Sequence, residues 1–396
     1  MTVALDESLQ ADLAAMAKAG TLKSFRHLTG PMDTEVTMAE RQGRILVLSS
    51  NNYLGLADHP EVVAAAKQAL DQYGAGTASV RFICGTFAIH QEIEKSLARL
   101  SRTHSALTYV SCWAANTGLI PAVAGEQDAI VSDALNHASL IDGCRAAKAR
   151  RLVYAHSDID DLRQKLAELK GARRIFIVTD GVFSMEGDVA RLPDIVTLAR
   201  RYNASVILDD SHGVGVMGRH GRGVCEHHGV ENQIEIVTGT LGKALGGAAG
   251  GYVAGSATLI NYLSQVSRPQ IFSNALPTSI CASAKKAIEI LEREPQRVER
   301  LHALTRKMRE GLKQRGFKPL EGPSAIIPII VGNTAFAIRM SQELLNEGIF
   351  ITGFGYPVVP EGTARLRIQM CASLTDAQVD FALETFAKVG KRLGVI

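Results

Sequence analysis

One lysine stands apart from the other basic residues of this chain. Lys243 lies in I-E-I-V-T-G-T-L-G-K-A-L-G-G-A-A-G-G, residues 234 to 251, where a buried-strand pattern runs into a turn of small residues. No aspartate or glutamate lies between Glu235 and Gly255 to pair with its ammonium. A lysine among small apolar neighbours is easily desolvated, which lowers its pKa and frees the amine as a nucleophile. Such an amine forms a Schiff base with an aldehyde cofactor or a carbonyl substrate. The glycines around it let a large group approach the backbone. A solvent-facing lysine in a glycine-rich loop would show the same local pattern. A P-loop is excluded, because Gly239 and Gly242 are too close together and Ala244 stands where a metal-holding hydroxyl is required.

Other chemistry-bearing residues fall after apolar runs. Ala204 to Leu208 ends in D-D-S-H, residues 209 to 212. Successive side chains of a strand point to opposite faces, so only one of Asp209 and Asp210 can look into a shared site; the other caps or braces a loop. His212 closes that motif. His137 stands in N-H-A-S, near a helix start, where a structural histidine is equally compatible. Ser184 lies in D-G-V-F-S-M-E-G, residues 180 to 187. S-C-W-A-A-N-T-G, residues 111 to 118, puts small residues and the pair Cys112 and Trp113 at a strand-to-helix turn. Such a turn exposes backbone N–H groups to a phosphate, although a plain helix start capped by Ser111 reads the same way.

Positioning these residues requires a particular set of elements. Strand-like runs at 105–110, 129–133, 151–154, 175–179, 204–208 and 251–254 alternate with helical patterns at 91–100, 140–149, 158–169 and 193–202. Continuous apolar runs between helices predict parallel strands buried on both faces, and in such sheets ligands gather at the carboxyl ends of the strands. Residues 4–19 predict a short amphipathic helix through Leu5, Leu9, Leu13 and Met16. From about Thr278 the texture changes to long helices broken by runs at 326–331 and 365–370. The expected organisation is an N-terminal segment, 1–50, joining a small domain; a large domain, 51–280; and a small C-terminal α/β domain, 281–396.

The 396 residues are 46% hydrophobic and 21% charged, an ordinary composition for a soluble globular protein. With 43 basic and 40 acidic side chains the net charge is +3, so no nucleic-acid face is implied. No stretch reaches the length of a membrane span. The N-terminus does not resemble a signal peptide, and six scattered cysteines read as reduced thiols. The expected location is the cytoplasm. G-V-G-V-M-G, residues 213 to 218, matches a dinucleotide fingerprint, but R-H-G-R-G follows instead of a helix. Cys225, His227 and His228 lack a second ligand pair at metal spacing, so no metal is expected.

Lys243, one of the two aspartates, His212, His137, Ser184 and the turn at 111–113 together suit a phosphorylated aromatic aldehyde. A carboxylate keeps a pyridine nitrogen protonated, one histidine stacks on the ring, another meets its phenolic oxygen, and backbone N–H groups take the phosphate. The implied cofactor is pyridoxal 5′-phosphate.

These motifs, with S-N-N-Y-L-G-L at 50–56 and R-L-R-I-Q-M at 365–370, resemble those of the α-oxoamine synthases. That family comprises fold-type I pyridoxal-phosphate enzymes that condense an amino acid with an acyl-CoA. The resemblance spans nearly the whole chain. It implies an α/β fold with a mostly parallel sheet in the large domain, and a homodimer with shared active sites. It implies that Lys243 is the Schiff-base lysine, that Asp209 faces the pyridine nitrogen, that His212 lies near the phenolic oxygen and that His137 stacks on the ring. Ser184 matches a cofactor contact, Cys112 and Trp113 stand at the phosphate, and Thr240 matches a phosphate-binding hydroxyl. Ser273 and Asn274 match a phosphate contact from the other subunit. Arg367 resembles the arginine that pairs with the substrate carboxylate, and Asn51 and Arg26 match substrate-side positions.

Within the family, D-D-S-H, G-T-L-G-K-A-L-G-G and F-S-N-A-L-P look most like members that join glycine to acetyl-CoA. Synthases making 8-amino-7-oxononanoate more often carry alanine in the third place of D-D-x-H. Trp113 replaces a usual phenylalanine, Gly213 replaces an alanine, and T-F-A-I-H at 86–90 resembles broader-specificity members. A sister synthase using alanine, serine or a longer acyl-CoA is therefore an alternative. A dinucleotide-binding dehydrogenase rests on Gly213, Gly215 and Gly218 alone. A non-catalytic member is opposed by the intact lysine, aspartate and arginine.

Overall fold

A computed structural model describes residues 3–22 and 24–396 and divides the chain into two compact units. The larger holds Asn51–Ser184 and Asp188–Leu301; the smaller takes the chain up to Ser50, then Met185–Gly187 and His302–Ile396. The sequence places the second boundary at 281, but the larger unit continues to Leu301. The reason is the helix Thr278–Arg293, which packs on the helices Pro60–Tyr73 and Ala88–Leu100 and buries Cys281, Ala284, Ile288 and Leu291. Its apolar face is completed there, so the boundary shifts into the next helix, Gln296–Gln314.

The larger unit is built on seven strands among the described residues: β1 Ser105–Tyr109, β2 Ala129–Asp133, β3 Arg150–Tyr154, β4 Ile175–Asp180, β5 Ala204–Asp209, β6 Ile236–Thr240 and β7 Gly251–Gly255. Their order is β1-β7-β6-β5-β4-β2-β3. Every residue of β2 and β4 is buried, as expected of strands covered on both faces. β2 to β6 pair in parallel, while β7 pairs antiparallel with both β6 and β1. The reversal of β7 has a local cause. A parallel return needs a crossover, usually helical, and residues 241–250 between β6 and β7 contain no helix. The loop that makes the hairpin possible is the one carrying Lys243.

Helix termini follow local chemistry. Asp158 caps Ile159–Ala167 through the N–H groups of Asp160 and Asp161, and Asn203 closes Leu192–Tyr202 in the left-handed conformation it tolerates. The helix expected from Gln91 begins at Ala88 instead. Its cap is unusual for sequence reading: the His90 ring accepts a hydrogen bond from Phe87 N–H at 3.0 Å, and its other nitrogen meets the Leu276 carbonyl at 2.7 Å.

The smaller unit has two three-stranded sheets among the described residues, 35–38/41–47/349–350 and 326–332/364–369/353–354. The pairs 349–350 and 353–354 are too short to announce themselves as strands. The expected N-terminal helix forms at Val3–Lys18, but none of its residues is buried, and Leu5, Leu9, Leu13 and Met16 are all exposed. No helix among the described residues is long and apolar enough to cross a membrane.

Candidate active site

The carboxyl ends of β2, β4, β5 and β6 carry the residues expected to do chemistry. Asp209 is the last residue of β5 and is 3% exposed. Its Oδ2 accepts the Asn116 amide at 2.6 Å, its Oδ1 accepts Ser211 N–H at 2.9 Å, and the Cys112 thiol lies 3.6 Å from Oδ2. These donors are neutral, so they orient the carboxylate without cancelling its charge. Asn116 is fully buried one turn into the helix Cys112–Val123, and its amide also reaches Ser139 Oγ at 2.9 Å.

Asp210 does the bracing expected of the second aspartate. Its Oδ2 accepts Val224 N–H at 2.8 Å, and a Cβ on Gly213 or Gly223 would fall 1.9 or 1.8 Å from its oxygens. Burial raises its pKa well above the usual carboxylate range. Residues 213–218 therefore owe their glycines to packing. Gly215 likewise lets its loop lie on Ala244, beside Lys243, where a Cβ would come within 2.4 Å.

His137 caps the helix Ala138–Ala146. Its N–H donates to Asp180 Oδ2 at 2.6 Å, and its Nδ1 accepts Ser139 N–H at 3.3 Å. Burial lowers its pKa from 6.5; the charge of Asp209 works against that, and the charge of Lys243 adds to it. Both charges therefore act on one neutral imidazole. The same two act on Cys112, whose thiol burial holds protonated, and on Asp180, whose pKa burial and then Asp209 raise. Trp113 packs edge-on to His137 with ring centroids 6.0 Å apart. His212 is buried, and its Nδ1 lies 2.8 Å from the hydroxyl of Tyr53, which fixes the segment that follows Asn51. Thr240, at the end of β6, donates to the Gly250 carbonyl at 3.1 Å and accepts Gly242 N–H at 3.1 Å, so it shapes the turn into Lys243. Ser184 is half-buried beyond β4.

The structure thus gathers Cys112, Trp113, His137, Asp209 and Lys243 around shared contacts and charges, with His212 three residues beyond Asp209. Ser273 and Asn274 lie elsewhere on the larger unit, against residues 76–80 on an open surface hollow of about 700 Å³, where Asn274 bridges Val80. Arg26 and Arg367 belong to the smaller unit. Arg26 donates to Gln342 at 2.9 Å; Arg367 is buried, donates to Gln369 at 2.8 Å and lies 4.6 Å over the Phe354 ring. Sequence reading missed Asn116, Tyr53 and Asp180. The N in S-C-W-A-A-N and the Y in S-N-N-Y lie inside motifs already singled out, but nothing local distinguishes them from ordinary polar residues.

The residues present fit pyridoxal 5′-phosphate. A pyridinium needs a carboxylate at the end of the sheet, and Asp209 is held there by the Asn116 amide and the Ser211 N–H, both neutral donors. A phosphate needs N–H groups, and the first N–H groups of the helix Cys112–Val123 have no carbonyl of their own helix to meet. Gly251 brings β7 against that helix start, since a Cβ there would sit 2.3 Å from Cys112 N.

Comparison with known proteins places the chain among relatives along nearly its whole length. The model of the aminotransferase class I and II family matches residues 44–386. The 2-amino-3-ketobutyrate coenzyme A ligase of Escherichia coli strain K12 is 45% identical over 98% of this chain and 98% of its own. An 8-amino-7-oxononanoate synthase of Thermosipho melanesiensis is 48% identical over 89% of this chain and 90% of its own. A serine palmitoyltransferase of S. paucimobilis, solved with PLP and myriocin bound, superposes with a TM-score of 0.94 and 32% identity over the full length of both chains.

Proposed function

The chain belongs to the aminotransferase class I and II family, in its α-oxoamine synthase branch, and we propose that it is a glycine C-acetyltransferase. It condenses glycine with an acyl-CoA, acetyl-CoA foremost, to a 2-amino-3-keto acid and CoA. Pyridoxal 5′-phosphate is its cofactor; when bound, it supplies an electron-withdrawing ring that stabilises a carbanion at the amino acid's α-carbon.

The residues divide the remaining work. Lys243 would hold the cofactor's aldehyde carbon and, once released, take the α-proton. Asp209 would meet the ring nitrogen, oriented by Asn116 and Ser211. His137, held neutral by burial, would lie on the ring, and His212 with Tyr53 would face its phenolic oxygen. The N–H groups at Cys112 and Trp113 and the Thr240 hydroxyl would hold the phosphate, with Ser184 a further cofactor contact. Arg367 would receive the substrate carboxylate, and Asn51 and Arg26 would lie on the substrate side. In the condensation a bond forms between the α-carbon and the acyl carbon, the thioester C–S bond breaks, and CoA leaves as its thiol. The product is retained as the 2-amino-3-keto acid or loses its carboxylate.

The observation that carries this reading is that Asp209, oriented by Asn116 and Ser211 at the end of β5, lies beside the Cys112 thiol at the start of the helix whose Trp113 packs on His137. A homodimer belongs to the proposal. Ser273 and Asn274 would reach a second copy's phosphate, and exposed Phe82, Ile83 and Phe272 lie on the same unit as those two residues. The six cysteines are free thiols, and we place the enzyme in the cytoplasm. The test is CoA release from the purified protein over a panel of amino acids and acyl-CoAs. Glycine with acetyl-CoA should lead. Preference for alanine and a long dicarboxylic acyl-CoA would instead select the 8-amino-7-oxononanoate branch, which the Thermosipho relative favours.

A further inference from the structure

Outside the site, His156 is gripped at both nitrogens by carboxylates. His156, just beyond β3, has Nδ1 2.9 Å from Asp133 Oδ1 and Nε2 2.9 Å from Asp188 Oδ2. Its ring stands edge-on to Phe183 with centroids 4.4 Å apart. Asp133 ends β2 and is buried; its Oδ1 also accepts Leu135 N–H at 2.8 Å, and its Oδ2 accepts Ser157 N–H at 3.1 Å. Asp188 closes the loop after β4, where Val182 pairs with Val189 and Phe183 N–H meets the Asp188 carbonyl at 3.1 Å.

Two short chain segments leave this cluster toward the site. One runs from Asp133 to His137, stitched on the way by Asn136, whose amide donates to the Val178 carbonyl at 2.8 Å and whose oxygen accepts Asp180 N–H at 2.8 Å. The other runs from Phe183 to Ser184. A surface ion pair orients little, because water competes for both partners. Here the Asp133 carboxylate is inaccessible and the His156 side chain is 22% exposed, so the geometry is held against solvent. An imidazole has only two polar atoms, and bonding both to carboxylates from different segments, the end of β2 and the loop after β4, fixes the distance between them.

We propose that His156 is a positioning residue for the active site: bound at both ring nitrogens, it clamps the turn that presents His137 to the loop that presents Ser184. The clamp rests on the reading of His137 and Ser184 as cofactor-facing residues. It acts through them and touches neither cofactor nor substrate.

The test uses the full-length holoenzyme, three single variants, His156→Gln, Asp188→Ala and Asp188→Asn, and the double variant of His156→Gln with Asp188→Ala, read by visible circular dichroism of bound pyridoxal 5′-phosphate and by titration of the cofactor. His156→Gln and Asp188→Ala should each alter the visible dichroism and weaken cofactor binding about tenfold, lowering kcat while leaving KM for the acyl-CoA unchanged. The double variant should be no worse than either single one. Asp188→Asn keeps an acceptor for Nε2 and should restore most of the signal. Because Asp188 is partly exposed, its variants keep the test decisive even if His156→Gln fails to fold. Folded variants with wild-type dichroism and cofactor affinity would overturn the clamp. Lys243→Ala separates the two ideas: if it loses the characteristic visible band while the clamp variants change nothing, only the clamp falls, and if it keeps the band, the site assignment falls first.

Discussion

Two buried aspartates at opposite ends of one sheet have opposite fates. Asp128 precedes β2 at the amino end and takes bidentate bonds from both Arg173 and Arg174, at 2.8 to 3.2 Å, with Gly125 N–H adding a fifth at 2.8 Å. The Arg173 bond, above all, holds its carboxyl well below the usual range. Asp209 ends β5 at the carboxyl end and is bonded to an amide, a backbone N–H and a thiol. The first carboxylate has its charge consumed by guanidinium groups and serves the fold. The second is oriented by the Asn116 amide and the Ser211 N–H, both neutral, and so can serve a cation that arrives with a ligand. Burial alone does not separate the two roles; the charge of the donors does.

The sharpest way to break this contrast begins with the amine opposite Asp209. Lys243→Ala should lower turnover roughly 10³-fold or more and abolish the visible band of the bound cofactor. Normal turnover would end the scheme. Next, Asp209→Asn should cut kcat about 10²- to 10³-fold with little change in melting temperature. Asp128→Asn should do the reverse, costing about 1–3 kcal/mol in urea unfolding with turnover intact. Equal catalytic damage from both would show that the donor-charge argument is wrong. A smaller effect is expected at Asn116. Removing its amide with Asn116→Ala should lower kcat about tenfold and weaken cofactor binding, since Asp209 loses its shortest donor; an unchanged pH–rate profile and affinity would count against an orienting role.

The mildest prediction concerns His156. Burial opposes its charged form, but hydrogen bonds and charge from Asp133 and Asp188 outweigh burial and raise its pKa from 6.5 to about 10. The folded value lies above the unfolded one, so the stabilisation is complete below about pH 6.5 and is lost as pH rises toward 10. The gap in melting temperature between the wild type and His156→Gln should narrow over that window. A gap that stays constant from pH 6 to 10 would contradict a charged clamp.

Sequence alone determined the strand runs, because a strand buried on both faces must be largely apolar, and A-I-V at 129–131 and V-I-L at 206–208 say so without help from the rest of the chain. It also singled out Lys243, whose neighbours are small for local reasons, and the joint motifs that imply the family. Tertiary structure alone decided which residues serve those motifs. Asn116 meets Asp209 across 93 positions and Tyr53 meets His212 across 159, separations that no local period encodes. The reversed β7 and the domain boundary past Arg293 were likewise settled by what the neighbouring elements left uncovered. Local pattern records a residue's own preference for water or for a backbone shape, whereas a hydrogen bond between distant segments exists only once the sheet has brought their ends together.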